Sequence, residues 1–176
     1  SLGPGRNKIY IRGVADSSFN GPRQSIVGQS LGDARLIFNA PDPDLALYDM
    51  ERVELLEGPQ GTLYGTGALG GILRLVPNPP HLTETSASLS AGLLSTSHGA
   101  PGGDFSSVLN LPVLPGRLAI RAVGYGAIDG GYIDDAGRGL RDVNRTKTYG
   151  GRATLLLDAG DGWNFQLGGI AQYIAG

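Results

Sequence analysis

The sequence predicts a compact α+β unit over residues 1–80, followed over residues 81–176 by about five antiparallel transmembrane β-strands of an incomplete barrel. Three observations lead there. Thirty glycines and eleven prolines favour many tight turns over long helices. The chain changes character at Pro77-Asn78-Pro79-Pro80, from short, irregular β-like runs to regular alternation. And the alternating segments, several near ten residues long, are joined by connections that are short and long in turn, as in outer-membrane barrels.

Before the prolines, Lys8 to Arg12 reads as an extended run and Asp16 to Arg23 as a polar loop. Ser25 to Leu36 is mixed, and Asn39 to Asp44 is interrupted by Pro41 and Pro43. Arg52 to Leu56 and Ile72 to Val76 read as strands, with Val53 and Leu55 on one side and Arg52 and Glu54 on the other. After the prolines, Thr85, Ala87, Leu89, Ala91 and Leu93 alternate with Glu84, Ser86, Ser88, Ser90 and Gly92. Phe105 to Leu111 is a weaker strand. Leu118, Ile120, Ala122 and Ile128 oppose Arg117, Arg121 and Tyr125, and Tyr149 to Leu157 opposes Gly150, Arg152 and Thr154. Trp163 to Tyr173 opposes Asn164, Gln166, Gly168 and Gln172. If Trp163 and Tyr173 cap that strand, its steps of ~3.3 Å at a tilt of ~45° rise ~23 Å. An apolar band between aromatic girdles is ~25 Å tall. A soluble β-sandwich with one wet face uses the same alternation and stays open as the second reading.

Composition sets outer limits. The hydrophobic fraction of 40% is enough for a core, and a formal charge of −2 exerts no general pull on nucleic acid. With no cysteine there is neither a disulfide framework nor a thiolate metal site. No run reaches the ~18 apolar residues of a membrane helix, which leaves barrel strands untouched. The chain starts at Ser1 without a basic-then-apolar leader, so an export signal is expected to have been removed or to lie outside this piece.

The segment Asp49-Met50-Glu51-Arg52-Val53-Glu54-Leu55-Leu56-Glu57-Gly58-Pro59-Gln60-Gly61-Thr62-Leu63-Tyr64-Gly65, running on to Gly70-Gly71-Ile72-Leu73-Arg74, closely resembles the plug domain of TonB-dependent receptors. Ile9-Tyr10-Ile11-Arg12-Gly13, Ser25 to Leu36, and Pro41-Asp42-Pro43-Asp44-Leu45 with Tyr48-Asp49 extend the resemblance over Ile9 to Pro80. The family commonly has a basic residue where this chain has Glu57. It often has an aromatic and an acidic residue where Ser30 and Gly32 stand, and Asp33 keeps one acid. Gly58-Pro59 enforces a turn, and the glycines through Gly71 permit positive φ and close backbone approach.

The resemblance implies the C-terminal part of a plug (1–80) and the first strands of a barrel (81–176) that has about 22 strands in plugged transporters. It implies a non-enzyme of the bacterial outer membrane, without cofactor or metal, that takes up a scarce solute. A ferric siderophore-type chelate is expected first, and cobalamin or saccharides are further cargoes of the family. The inner-membrane coupling protein TonB would act through an N-terminal segment that this piece is expected to lack. Outer-membrane lipid is the other partner, and nucleic acid is not one. By position, the solute-facing loops are Asp16 to Arg23 and Arg35 to Asn39, which makes Asn20, Arg23, Arg35, Phe38 and Asn39 the ligand candidates. Arg52, Glu54 and Arg74 are expected to make charged contacts between plug and barrel. A truncated, non-functional receptor remnant is the alternative within the same family.

Two literal motifs are set aside. Gly65-Thr66-Gly67-Ala68-Leu69-Gly70 has the spacing of a dinucleotide loop, but a strand-like run follows it where a helix is needed. Gly28-Gln29-Ser30-Leu31-Gly32 has the spacing of a nucleophile elbow, which also needs a following helix, an acid and a histidine. His81 and His98, in Pro/Gly/Ser-rich linkers, are read as solvated. The mixed charges of Asp134, Asp135, Arg138, Arg141, Asp142 and Arg145 are read as a solvated loop.

Overall fold

The computed structural model describes residues 6–7, 9–11, 27–36, 42–59 and 70–176, and the chain divides into two units, Ser1–Asn78 and Pro79–Gly176. In the first, β1 (Arg6–Asn7) pairs antiparallel with β4 (Asp42–Pro43). A second sheet holds β2 (Val27–Leu31), β3 (Ala34–Arg35), β5 (Met50–Glu57) and β6 (Gly71–Pro77), in the order β3-β2-β6-β5. β2 runs parallel to β6, while the other pairs are antiparallel. Among the described residues this unit contains strands and no helix. The extended run expected at Lys8 to Arg12 is reduced, within residues 9–11, to a single bridge at Ile11.

Among the described residues, Val27, Ile72, Leu75 and Ile11 are the buried apolar side chains of the unit. Gly71 opens β6 with φ of 140°, and a Cβ there would lie 2.9 Å from Ile11 Cδ1 while colliding with the Leu56 carbonyl. Only a residue without a side chain lets β6 approach β5 and Ile11 so closely. Gly32 closes the β2–β3 turn, and its amide donates to the Leu75 carbonyl at 2.7 Å.

The second unit is a single meander. β7 (Ser86–Leu94), β8 (Gly102–Leu114), β9 (Leu118–Asp129), β10 (Thr146–Gly160) and β11 (Trp163–Ala175) lie side by side in chain order, each antiparallel to the next. The sheet does not close on itself, so β7 and β11 each keep one edge without a strand partner among the described residues. The tight links, Pro115-Gly116-Arg117 and Asp161-Gly162, lie at one end. Residues 95–101 and 130–145 make the long connections at the other. Gly160, Asp161 and Gly162 all have positive φ, which suits a reversal of so few residues.

The ladders sort the side chains by face. One row across the sheet is Ala91, Phe105, Gly126, Tyr149 and Tyr173, and another is Ala87, Leu109, Ala122, Ala153 and Gly169. The face that carries these rows is open: in its other rows Leu89 is 79% exposed, Leu93 98% and Leu167 74%. The other face is mixed, and there the polar Asn110, Tyr125 and Arg152, at 0%, 4% and 8% exposed, are buried beside Ala119 and Val123. A soluble sheet has the opposite arrangement.

Asn110 anchors the approach to the sheet. Its Oδ1 accepts from the His81 amide at 2.9 Å, and its Nδ2 donates to the carbonyls of His81 at 2.9 Å and Glu84 at 2.6 Å. Asn110→Ala strands one amide and two carbonyls out of water, at a cost of ~1–3 kcal/mol. The expected result in the receptor that carries this chain is a lower denaturation midpoint. Asn110→Asp should retain the amide contact and lose both carbonyl contacts.

Candidate functional site

Charge in the first unit converges on Arg74. Parallel pairing of β2 with β6 and antiparallel pairing of β6 with β5 set Ser30, Arg74 and Glu54 in one row. Arg74 Nη1 donates to Glu54 Oε2 at 3.0 Å, Nη2 to Asp33 Oδ1 at 2.6 Å, and Nε to the Gly32 carbonyl at 3.1 Å. Glu54 Oε1 accepts from Arg52 Nε at 2.6 Å, and Arg52 Nη1 donates to Glu51 Oε1 at 2.7 Å. Five ionised side chains therefore run as one chain from β5 across β6 to the β2–β3 turn.

The arrangement is electrostatically self-satisfying. Hydrogen bonds from Arg52 and then Arg74 hold the Glu54 carboxyl below its ordinary range. The same bonds, from Glu54 first and Asp33 next, hold the Arg74 guanidinium above its own. Arg52 is likewise raised, chiefly by its bond to Glu54. The outer pairs are open to water, which screens them. What the network does best is positional: a planar guanidinium with fixed donors ties the Gly32–Asp33 turn to β5 through β6.

Sequence reasoning picked out Arg52, Glu54 and Arg74, and the structure brings the three together. It missed Glu51 and the role of Asp33, because Asp33 reaches Arg74 only through the long-range parallel pairing of β2 with β6. Of the ligand candidates, Arg35 lies in β3 opposite Ser30 and is half-buried. Asn20, Arg23, Phe38 and Asn39 lie outside the described residues.

Ser30 sits in mid-strand with its Oγ buried and without a hydrogen-bond partner, and a tight turn into β3 follows it. That is no nucleophile elbow. The Gly65 to Gly70 segment lies outside the described residues except for Gly70, and β6 follows directly. His98 is exposed beside Ser97, 2.9 Å from its hydroxyl. In the long connection, Asn144 Oδ1 accepts from the Tyr132 and Ile133 amides at 2.8 and 2.9 Å, and Asp134 Oδ1 from the Asp142 amide at 3.0 Å. These acids and amides organise the loop. Among the described residues no cluster of His, Asp and Glu could hold a metal ion.

The second unit has its own polar feature. Tyr125, Gly150 and Gln172 share a row, and the Tyr125 hydroxyl crosses over Gly150 to donate to Gln172 Oε1 at 2.8 Å. A Cβ at position 150 would fall 2.7 Å from that hydroxyl, so the glycine leaves room for the bond.

A unit held by a charged network is followed by a five-stranded meander whose apolar face is open. Comparison gives the family. Residues 1–72 match the TonB-dependent receptor plug domain. The pesticin receptor of Yersinia pestis is 33% identical over 118 residues, 66% of this chain and 16% of that protein, and the pesticin receptor of Yersinia enterocolitica matches equally. The crystal structure of the ferric yersiniabactin uptake receptor from Yersinia pestis superposes with a TM-score of 0.76 at 26% identity, covering 97% of this chain and 26% of that one. The pyoverdine outer-membrane receptor of Pseudomonas aeruginosa superposes with a TM-score of 0.69 at 19% identity over 96% of this chain and 22% of that one. The chain belongs to the TonB-dependent receptor family, whose members here are bacterial outer-membrane receptors and not enzymes. It spans about a sixth of the pesticin receptors' length, 16%.

The Arg74 network makes a pH prediction. A carboxyl lowered by folding adds stability that is complete above its unfolded value, and that stability is lost as pH falls through the folded value. For Glu54 the window therefore lies below its ordinary value of 4.5. Thermal midpoints taken from pH 7 down to pH 3 should fall more steeply in the parent receptor than in Glu54→Gln, which lacks the titrating group. Parallel curves would remove Glu54 from the acid response.

Proposed function

We propose that this chain supplies the C-terminal part of a plug and the first five strands of a plugged transmembrane barrel. The receptor it belongs to would take up a scarce, bulky solute, a ferric siderophore-type chelate. The observation that carries the membrane half is the reversed sheet, with Leu89, Leu93 and Leu167 open and Asn110, Tyr125 and Arg152 buried. A β-sandwich hides the apolar faces of its sheets against one another, so this exposure speaks against a soluble binding module. Outside hydrocarbon, such a face would be an aggregation liability. The short turns at one end and long connections at the other support the same orientation, with the long connections outward.

The cargo follows from chemistry and kinship. Ferric yersiniabactin and pyoverdine are named for two of the structural relatives, which supports a ferric chelate as the solute class. Asn20, Arg23, Arg35, Phe38 and Asn39 are the proposed contacts. The two arginines would meet an anionic chelate, and Phe38 an aromatic ring of it. Arg52, Glu54 and Arg74, besides pairing among themselves, are proposed to face charged groups of the barrel wall. Energy would come from TonB.

Cells without their own ferric-chelate receptors, supplied with the receptor carrying this chain, should accumulate radio-iron from at least one siderophore and stop when TonB is deleted. Uptake indifferent to TonB, or confined to non-iron solutes, would overturn the cargo reading. Joint substitution Arg23→Gln and Arg35→Gln should weaken chelate binding roughly tenfold, equivalent to about 1.4 kcal/mol. Unchanged binding would remove both residues from the site.

A further inference from the structure

The two long connections of the meander lie side by side. β8 pairs with β9, so Gly103 stands opposite Ile128, and the end of residues 95–101 meets the start of residues 130–145. There the backbones touch. The Ala100 amide donates to the Gly131 carbonyl at 2.9 Å. A Cβ at Gly130 would collide with the Ala100 carbonyl, and one at Gly131 with the backbone of Asp142. One at Gly99 would fall 2.7 Å from the Gly131 oxygen and 3.1 Å from Tyr132 Cβ. None of these three glycines has a positive φ, so the residue type serves close approach and not a turn. Gly130 and Gly131 are buried, although connecting segments normally run over the surface.

The second connection is also folded on itself. Asn144 Oδ1 holds the Tyr132 and Ile133 amides, Asp134 Oδ1 holds the Asp142 amide, and the Val143 amide donates to the Ile133 carbonyl at 2.8 Å. A further bridge joins Asp135 and Leu140, so the outgoing and returning limbs are paired. Gly131 is where the stretches meet, with residues 99–100 on one side and Asp142 on the other. On the first connection the Gly99 amide closes a turn on the Thr96 carbonyl at 3.1 Å. A loop that closes as a lid needs few buried contacts and hinge residues free to change conformation. Here the glycines beside the strand ends, the natural hinges, are the positions packed most closely against backbone.

We infer that residues 95–101 and 130–145 form one fixed wall, clamped at Gly130 and Gly131, and that neither connection moves as a separate lid. A solute entering from that end would meet a preset surface, and closure over it would fall to other parts of the receptor. The clamp stands on the meander alone. Its bearing on solute entry rests on the outward orientation proposed above.

The test uses the receptor carrying this chain in detergent, with nitroxides at the exposed positions 97 and 141, one on each connection. Spin–spin distances should give a single narrow peak, and Gly131→Val should broaden it. Hydrogen exchange reads the clamp in the parent without a substitution. The Ala100, Tyr132 and Ile133 amides should exchange at least about tenfold slower than in the unfolded chain. Asn144→Ala, which leaves the contacts at Gly131 in place, should speed Tyr132 and Ile133 about tenfold while Ala100 stays slow. A broad distance distribution in the parent, or exchange of these amides at the unfolded rate, overturns the wall. Heat-modifiable gel mobility shows which variants fold, and exchange in the parent decides the matter if none does. An impermeant maleimide on intact cells bearing Ser97→Cys separates the two readings. If position 97 is not labelled, the outward orientation has failed. If it is labelled while the distances are broad, the wall alone has failed.

Discussion

A β-strand offers successive side chains to opposite faces, so one register decides what the surroundings of a sheet must be. In the meander from Ser86 to Ala175 that register puts leucines, phenylalanines and small residues together on the open face. Asn110, Tyr125 and Arg152 lie on the buried one. Burying a polar group without partners is expensive, and the partners here are specific. Asn110 is saturated by His81 and Glu84, and Tyr125 by Gln172 across the space that Gly150 leaves. Hydrocarbon on the outside would reverse the usual cost of the leucines. It would also require partner strands along the free edges of β7 and β11, because unpaired backbone cannot face lipid.

The first unit meets a different constraint. Among the described residues its buried apolar side chains are Val27, Ile72, Leu75 and Ile11. Polar geometry adds a further constraint. Arg74 reads the positions of Gly32, Asp33 and Glu54 at once, and a slip of one residue in either neighbouring strand would move its partners to the far face. The close approach at Gly71 restricts the same strand at its start. One guanidinium and one missing side chain thus constrain the register of β6.

Much of this was legible in the sequence because it is local. The alternation around Leu89, Leu118, Leu155 and Leu167 marked strands that the structure contains, and their faces sort as the pattern required. The turns at Gly116 and Asp161 were legible for the same reason. The strand at Phe105 looked weak because Ser107 falls on its apolar face and Val108 on the other, which blurs its alternation. In the structure it is thirteen residues long, since β7 and β9 pair with it on both sides. Non-local features stayed hidden. Nothing near Asp33 announces Arg74, and nothing near Asn110 announces His81; each pairing exists only once distant strands have met. Arg35 was read as a loop cation, and the pairing of β3 with β2 draws it into a strand.

Family likeness and cargo rest on different residues, and this chain separates them. The described part of the stretch from Asp49 to Arg74 that carries the resemblance is a set of backbone requirements: a strand, close approach at Gly71, and a return strand. Such requirements persist whatever the receptor transports. The proposed solute contacts are loop side chains, which can change without disturbing the strands that hold them. Glu57 illustrates the division. It ends β5 opposite Gly71, exposed, and has no part in the Arg74 network. A carboxylate where the family commonly has a base is therefore compatible with the fold of this unit. The residues that establish kinship are thus poor guides to cargo, and the loops that would choose the cargo add little to kinship.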